Sequence, residues 1–412
     1  MIEDNHEASP VREELSEFGE RIGIEAEDDS DLMEPFDPSE ISIAQKIVPM
    51  DMLLRRLKQG SIVLKPSFQR NEVWNNTRKS QLIESIMLRI PLPMFYVAED
   101  EKGRWEVVDG LQRLTAIKKF MVGDDDGVPL QLSNLEFLQK RYGNKTWKKI
   151  EEDPASQKLV NSIFETEMRF TVIEPGTPEA VKRNIFKRIN TGGMPLTSQE
   201  IRHALYEGSS SRLLKELVNS EEFRGAIGKK LDDSRMGATE LVLRLVSFMI
   251  FPRKKYNGMD KWLSDAMRVI NKMPNPSPEV VEGIVGSESK TTLLLQSEEE
   301  IMEKFKLAMT RAQAIFDGHA FRKSNYGDQR KSPINKSLFE VWGNILSELE
   351  DHEFNNLLVN KNLVHKYQAE LFLSDDFSNS ISRHSSRSKG VIDSYNSILS
   401  LVEEVVGTPY DN

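Results

Sequence analysis

The stretch Trp105–Phe120, WEVVDGLQRLTAIKKF, does most to constrain what this chain can fold into. Trp105–Val108 reads as a short apolar strand. It stops at Asp109-Gly110, a dipeptide suited to a tight turn. A helix follows at once, with Gln112 and Arg113 in its first turn. A strand that ends on an acid and a glycine and becomes a helix is a good place to hold a phosphate. The helix N-terminus offers backbone N–H groups without intrahelical partners and the positive end of the helix dipole. Glycine lets the backbone come close, and arginine adds a fork of donors.

The flanking residues extend this into a compact α/β unit. Pro49–Lys58 is a short helix with Met50, Leu53, Leu54 and Leu57 at helical spacing. Ser61–Leu64, Pro93–Ala98 and Met168–Ile173 read as strands. Leu82, Ile83, Ile86 and Ile90 line one face of an amphipathic helix that Pro91 stops. Residues 128–165 read as loop and short helix, and Pro178–Asn190 as a helix. The glycine-rich Asn190–Pro195 follows, and then a capping box at Thr197 and Glu200. Beyond about residue 200 the pattern is helical. It includes 210–219, 238–251, Lys261–Asn271, a long helix over Ser297–Asp317 capped by Ser297 with Glu300, 333–349, 352–372 and 391–406. Pro274–Thr292 reads as loop or a weak element. The expected fold class is α+β, an α/β unit over 41–200 followed by a mainly helical domain over 201–412.

Charge separates the first 40 residues from the rest. They hold fifteen Asp/Glu against two Arg, so they carry −13, and the other 372 residues carry +3 of the total of −10. The acidity belongs to a tail over 1–40, expected to be mostly disordered. A sharper reading makes it an acidic mimic that shields a basic groove in cis. The chain has no cysteine, which excludes disulfides, thiolate zinc sites and cysteine nucleophiles and fits a cytoplasmic protein. No apolar run is long enough for a transmembrane helix, and the acidic start is not a secretory signal. There is no P-loop, no G-x-S-x-G elbow and no GxGxxG after a strand, so a nucleotide site here is of another kind.

Four motifs then occur in order: FQRNEVW, LIESI, VVDGLQRL and FKRINTGGMPLTSQEI. Together they resemble the N-terminal module of the GmrSD-type restriction proteins, a domain of the ParB/sulfiredoxin-like superfamily, over about residues 45 to 205. RMGATELVLRL, SPINKSLFEVW and RHSSRSKG resemble the helical continuation of stand-alone members. The resemblance implies a ParB/sulfiredoxin-like nucleotide-binding domain over 41–200. It also implies binding and hydrolysis of a nucleoside triphosphate through the DG-x-QR turn, with Mg²⁺, in restriction of modified phage DNA. Leu111 stands where the family signature has glutamine, which removes one polar contact. The six histidines, His6, His203, His319, His352, His365 and His384, lie scattered without metal-ligand spacing. Nuclease activity in cis is therefore not expected, and a separate nuclease subunit is an implied partner. Sulfiredoxin-type thiol chemistry is excluded by the lack of cysteine.

Each candidate residue has a functional and a bland reading. Asp109 would bind Mg²⁺ or orient water, because a hard cation takes carboxylate oxygen; the bland reading is a good turn. Arg113 and Gln112, with Gly110 beside them, would hold phosphates; the alternative is a surface salt bridge. Gln69 and Arg70 would complete the anion clamp. Trp74 could stack on a base but more often belongs to a core. Arg78 and Lys79 would reach phosphate from the start of the next helix, or lie on a solvated face. Glu84 would be a second metal or water-orienting carboxylate in catalysis, or simply exposed. Asn190 and Gly192 would wrap a ligand with backbone, or end a helix. Arg322, Lys323, Arg330 and Lys331, with Lys336 and further on Arg383, Arg387 and Lys389, would contact DNA phosphates, or form a solvated charged face. The leading function is a Mg²⁺-dependent nucleoside triphosphatase of an anti-phage restriction system. Alternatives are a DNA-binding regulatory module with a nucleotide switch, and a nickase or nuclease using the same pocket. The residues leave open which nucleotide is bound, which DNA is sensed, and whether the chain forms a homo-oligomer.

Overall fold

The computed structural model describes residues 13–15, 21–26, 42–64, 74–123, 128–178, 181–185, 197–206, 208–228, 231, 233, 235–286, 292–324, 328 and 330–407. The chain divides into two compact units, Glu34–Leu196 and a second made of Met1–Met33 with Thr197–Asn412. Two strands of the second unit come first in the chain, β1 (Glu13–Leu15) and β2 (Arg21–Glu25).

The first unit is built on a mixed five-stranded sheet. Its strands are β3 (Ile43–Pro49), β4 (Ile62–Val63), β5 (Phe95–Glu99), β6 (Trp105–Asp109) and β7 (Glu167–Ile173), in the spatial order β3-β7-β5-β6-β4. β3 pairs antiparallel with β7, Ile43 opposite Ile173 and Pro49 opposite Glu167. β5 runs parallel to β7 and antiparallel to β6, and its register shifts between Tyr96 and Val97. Phe170 holds the centre, stacked on Phe95 at 5.0 Å and tilted against Trp105 at 5.1 Å. Such aromatic pairs add to area burial in fixing a register.

Among the described residues the helices of this unit include α1 (Met50–Lys58), α2 (Asn76–Met87), α3 (Leu111–Met121), α4 (Gln139–Tyr142), α5 (Trp147–Glu151) and α6 (Gln157–Phe164). α1 buries Met50, Leu53, Leu54 and Leu57, the stripe the spacing predicts. α2 ends before Pro91, at a Leu88 cap, and Arg89 follows at φ +58°. The sequence reading had no strand at 43–49. β3 lies at the sheet edge, and its Ile43 and Ile47 are exposed, so its apolar residues do not mark a buried face. Of the helix expected over Pro178–Asn190, only residues 178 and 181–185 are described, and 181–185 are helical.

The second unit is helical. Its helices are α7 (Ser198–Leu205), α8 (Ser209–Asn219), α9 (Glu221–Ile227), α10 (Gly237–Ile250), α11 (Met259–Ile270) and α12 (Pro278–Val285). They continue as α13 (Glu298–Phe316), α14 (Lys336–Glu348), α15 (Asp351–Val359), α16 (Lys361–Phe372), α17 (Asp375–Ser380) and α18 (Ser388–Gly407). Both expected capping boxes are present, Thr197 with Glu200 and Ser297 with Glu300. The helix expected over 352–372 breaks at Asn360 into α15 and α16. The architecture is α+β, as the element order predicts. Among the described residues no helix is long and apolar enough to cross a membrane.

The expectation of an unstructured acidic tail does not hold at residues 13–15 and 21–26. β1 and β2 pair antiparallel, and Ile22 and Ile24 are buried in the core of the helical unit. Backbone bonds join Glu25 N to the Ile334 carbonyl and Ile334 N to the Gly23 carbonyl, both at 2.8 Å. The acids are neutralised where they land. Glu25 meets Lys323 at 2.6 Å and accepts from Asn335 at 3.0 Å, and Glu14 meets Lys336 at 2.6 Å. A composition average over 40 residues cannot see two isoleucines with partners 300 positions away.

Candidate functional site

The Asp109-Gly110 turn forms as the sequence implies. β6 ends on Asp109, Gly110 takes φ +96° and ψ +12°, and α3 starts at Leu111. That left-handed conformation is open to glycine at little strain. A Cβ on Gly110 would also collide with the Phe95 ring and lie 3.1 Å from Arg113 Nη2. Among the described residues no side chain caps α3, so its first-turn N–H groups are those a helix leaves without intrahelical partners. The next helix back differs. Asn75 caps α2 by accepting from Arg78 N at 2.9 Å.

Arg113 is fixed rather than free. Its Nη2 donates to Asp109 Oδ2 at 2.8 Å and to the Met94 carbonyl at 3.2 Å, and its Nη1 donates to the Pro93 carbonyl. The guanidinium lies over the Phe95 ring, 4.5 Å from the centroid. Only 12% of the Arg113 side chain is exposed, against 36% of Asp109. Burial lowers the pKa of Arg113 and the facing Asp109 carboxylate opposes the shift, so Arg113 stays charged. The sequence singles out both residues but neither their pairing nor its supports. Pro93, Met94 and Phe95 had been read only as the start of a strand.

The other candidates separate. Gln112 is half-buried on α3. Leu111 is buried in the core of the sheet unit and is a packing residue. Arg78 is exposed, whereas Lys79 is buried. Trp74 packs against the core. Gln69, Arg70, Asn190 and Gly192 lie outside the described residues.

Glu84 is not a free carboxylate. It is 3% exposed and accepts from three backbone N–H groups, Glu136 at 2.8 Å, Phe137 at 2.8 Å and Leu138 at 2.7 Å. Its oxygens fasten the segment before α4. Its place on the supposed polar face of α2 hid this, because the donors come from residues 50 positions later. A cleft of about 500 Å³ shares Phe95 with the turn and is lined also by Arg89, Leu92, Glu167 and Arg169. Sequence reasoning singled out none of these.

The basic cluster expected to meet DNA divides between interior and surface. Arg322 is buried and donates to the carbonyls of Ser332 and of Ile227, the latter at 3.0 Å. Lys323 pairs with Glu25, and Lys336 pairs with Glu14 and with Glu240 at 2.9 Å. Arg330 and Lys331 are exposed. The cations drawn inward find their partners far along the chain, Arg322 at the Ile227 carbonyl, Lys323 at Glu25 and Lys336 at Glu14.

No curated protein matches the chain at a significant level. Residues 51–207 match the family described as the GmrSD restriction endonuclease, N-terminal domain. That span carries β4 to β7, the Asp109-Gly110 turn and the Arg113 clamp. The segment that holds the candidate site is thus similar to a GmrSD-type N-terminal module.

Proposed function

We propose that the protein is a component of a DNA-restriction system directed against phage, and that its sheet unit binds and hydrolyses a nucleoside triphosphate at the Asp109-Gly110 turn. The observation that carries this reading is the uncapped start of α3 behind a glycine at φ +96°, inside the segment that matches a restriction family. The phosphates would lie against the first-turn N–H groups, where the dipole favours an anion. Arg113 would act from a fixed position, held by Asp109 and two carbonyls and backed by Phe95. Gln112 would add a neutral amide.

Mg²⁺ needs few protein ligands when it arrives with a triphosphate. Among the described residues no group of three or more His, Asp or Glu could hold a metal by itself. The ion therefore fits as the companion of the nucleotide, with the partly exposed Asp109 as its carboxylate, and when bound it would neutralise phosphate charge. Asp109 in turn keeps Arg113 oriented. Duplex DNA is the macromolecular partner in this reading, and a separate nuclease subunit would cut it.

Glu84 favours a second reading, in which nucleotide binding switches a DNA-binding module without appreciable turnover. With both oxygens engaged by three backbone donors, Glu84 is not available as the second carboxylate that would activate water. Release of phosphate from each nucleoside triphosphate with Mg²⁺, with and without DNA, separates the two. Turnover that falls at least about a hundredfold in Asp109→Ala supports hydrolysis. Tight binding of nucleotide with no turnover in the wild type supports the switch. Absence of both nucleotide binding and turnover overturns the proposal.

A further inference from the structure

Buried polar groups of the helical unit converge on one turn, the residues between α17 and α18. Asn335 Nδ2 donates to the Ile381 carbonyl at 2.8 Å, and Lys323 Nζ to Ser382 Oγ at 2.8 Å. Arg244 Nη2 donates to the Ser385 carbonyl at 2.9 Å, and the Tyr256 hydroxyl to the Ser386 carbonyl at 2.6 Å. Gly390, in the first turn of α18, lies so close to the His384 carbonyl that a Cβ there would collide with it. The donors are themselves held from behind. Arg244 also donates to Ser337 Oγ at 3.0 Å, and its Nε is 3.9 Å from Glu340. Glu340 lies 2.5 Å from Arg253, a contact of charge rather than of hydrogen-bond geometry.

Arg244 is 2% exposed and Glu340 is fully buried. Interior charges of this kind carry a large desolvation penalty, and apolar residues of the same volume generally serve stability as well or better. What the arrangement does achieve is a turn tied inward by four separate donors, at three carbonyls and the Ser382 hydroxyl. The side chains of Arg383, His384, Arg387 and Lys389 are all exposed. His384, Arg387 and Lys389 line a cleft of about 700 Å³, with Asn379 and Asn396 as neutral amides. Asp376 and Asp393 line it too. The cleft is therefore not uniformly cationic, and a polyanion is favoured along the turn, where Arg383 adds a further cation. A fixed backbone that presents a row of cations is the arrangement that meets phosphates with the least loss of side-chain and loop freedom.

We propose that the turn Arg383–Lys389 binds the backbone phosphates of duplex DNA, without reading its sequence. This rests on the reading that the protein acts on DNA. It moves the contact from the buried Arg322 and the partly buried Lys323 to a turn that Lys323 helps to hold. Phosphate contacts of this type are lost with salt, each adding close to one unit to the slope of log affinity against log salt.

The test is fluorescence anisotropy of the full chain with a labelled duplex of arbitrary sequence, across a salt series. Three proteins are compared: the wild type, Arg387→Glu/Lys389→Glu, and Arg330→Glu/Lys331→Glu, which reverses the exposed cations of the other basic stretch. The milder Arg387→Gln/Lys389→Gln is run alongside, and circular dichroism checks each fold. The expected result is a loss of roughly tenfold or more in affinity and a salt slope shallower by about two for the first pair, with affinity within about twofold of wild type for the second. Equal affinity of Arg387→Glu/Lys389→Glu and wild type overturns the inference and leaves DNA binding itself standing. Failure of the wild type to bind duplex overturns both this inference and the DNA partner beneath it. Competition by inorganic phosphate or ATP as strong as by unlabelled duplex assigns the turn to a small phosphate and overturns the nucleic-acid assignment.

Discussion

At the scale of single residues, the turn depends on one backbone angle and one ion pair. Gly110 combines φ +96° with a site where a Cβ meets Phe95, and Phe95 is also the surface on which the Arg113 guanidinium lies. Gly110→Ala should therefore destabilise the sheet unit by about 1–3 kcal/mol and weaken nucleotide binding, because Phe95 cannot yield without moving Arg113. Urea denaturation measures the first effect, and an unchanged midpoint would contradict the strain described here. Asp109, Gly110 and Arg113 were legible because strand, turn and helix are contiguous in sequence. Glu84 was not, since its meaning comes from the N–H groups of residues 136–138. Arg322 and Lys323 were misleading for a related reason. A cation shows its charge in the sequence, whereas the carbonyls and the distant Glu25 that absorb it appear only in three dimensions.

At the scale of elements, local signals proved durable. The strand end at Asp109, the α1 stripe and the two capping boxes all rest on residues that follow one another within four positions. Elements that depend on distant partners escaped. β3 is an edge strand without a buried apolar face, and β2 takes its place from Ile334 and Lys323. One network ties several elements of the helical unit together through Glu240 on α10. It accepts from Lys336 on α14 at 2.9 Å and from Arg202 on α7 at 2.7 Å, while Arg202 also holds Asp260 on α11 at 2.6 Å. Burial alone would raise the Glu240 pKa, but Lys336 and Arg202 overcome that and hold it at about 2, against an ordinary 4.5. The folded value lies below the unfolded one, so the unfolded chain takes up the proton first. The stabilisation is complete above about pH 4.5 and is lost as pH falls from there towards about 2. It amounts to roughly 3 kcal/mol at most. Urea midpoints measured from pH 6 down to about 2.5 should fall less steeply for Glu240→Gln than for the wild type. Parallel curves would mean that the pairing contributes no pH dependence.

At the scale of the whole molecule, two units share one chain and divide its tasks. The sheet unit holds the turn and the Arg113 clamp, and the helical unit holds a network of interior charges that fixes the turn before α18. The net charge of −10 is a poor guide to either. Part of the N-terminal acidity is placed among lysines of the helical unit, where Glu14 and Glu25 meet Lys336 and Lys323. The exposed cations of 383–389 then offer positive charge to a polyanion on that unit. The central claim remains the phosphate site at Asp109-Gly110. The most direct measurement is titration calorimetry of a Mg²⁺–nucleoside triphosphate into the full chain and into Arg113→Ala, with each fold verified by circular dichroism. The account predicts one saturable site in the wild type and an affinity at least about tenfold weaker in Arg113→Ala, the loss of a charged, preoriented donor. Equal affinities in the two proteins, or no heat of binding in the wild type with any nucleoside triphosphate, would contradict it.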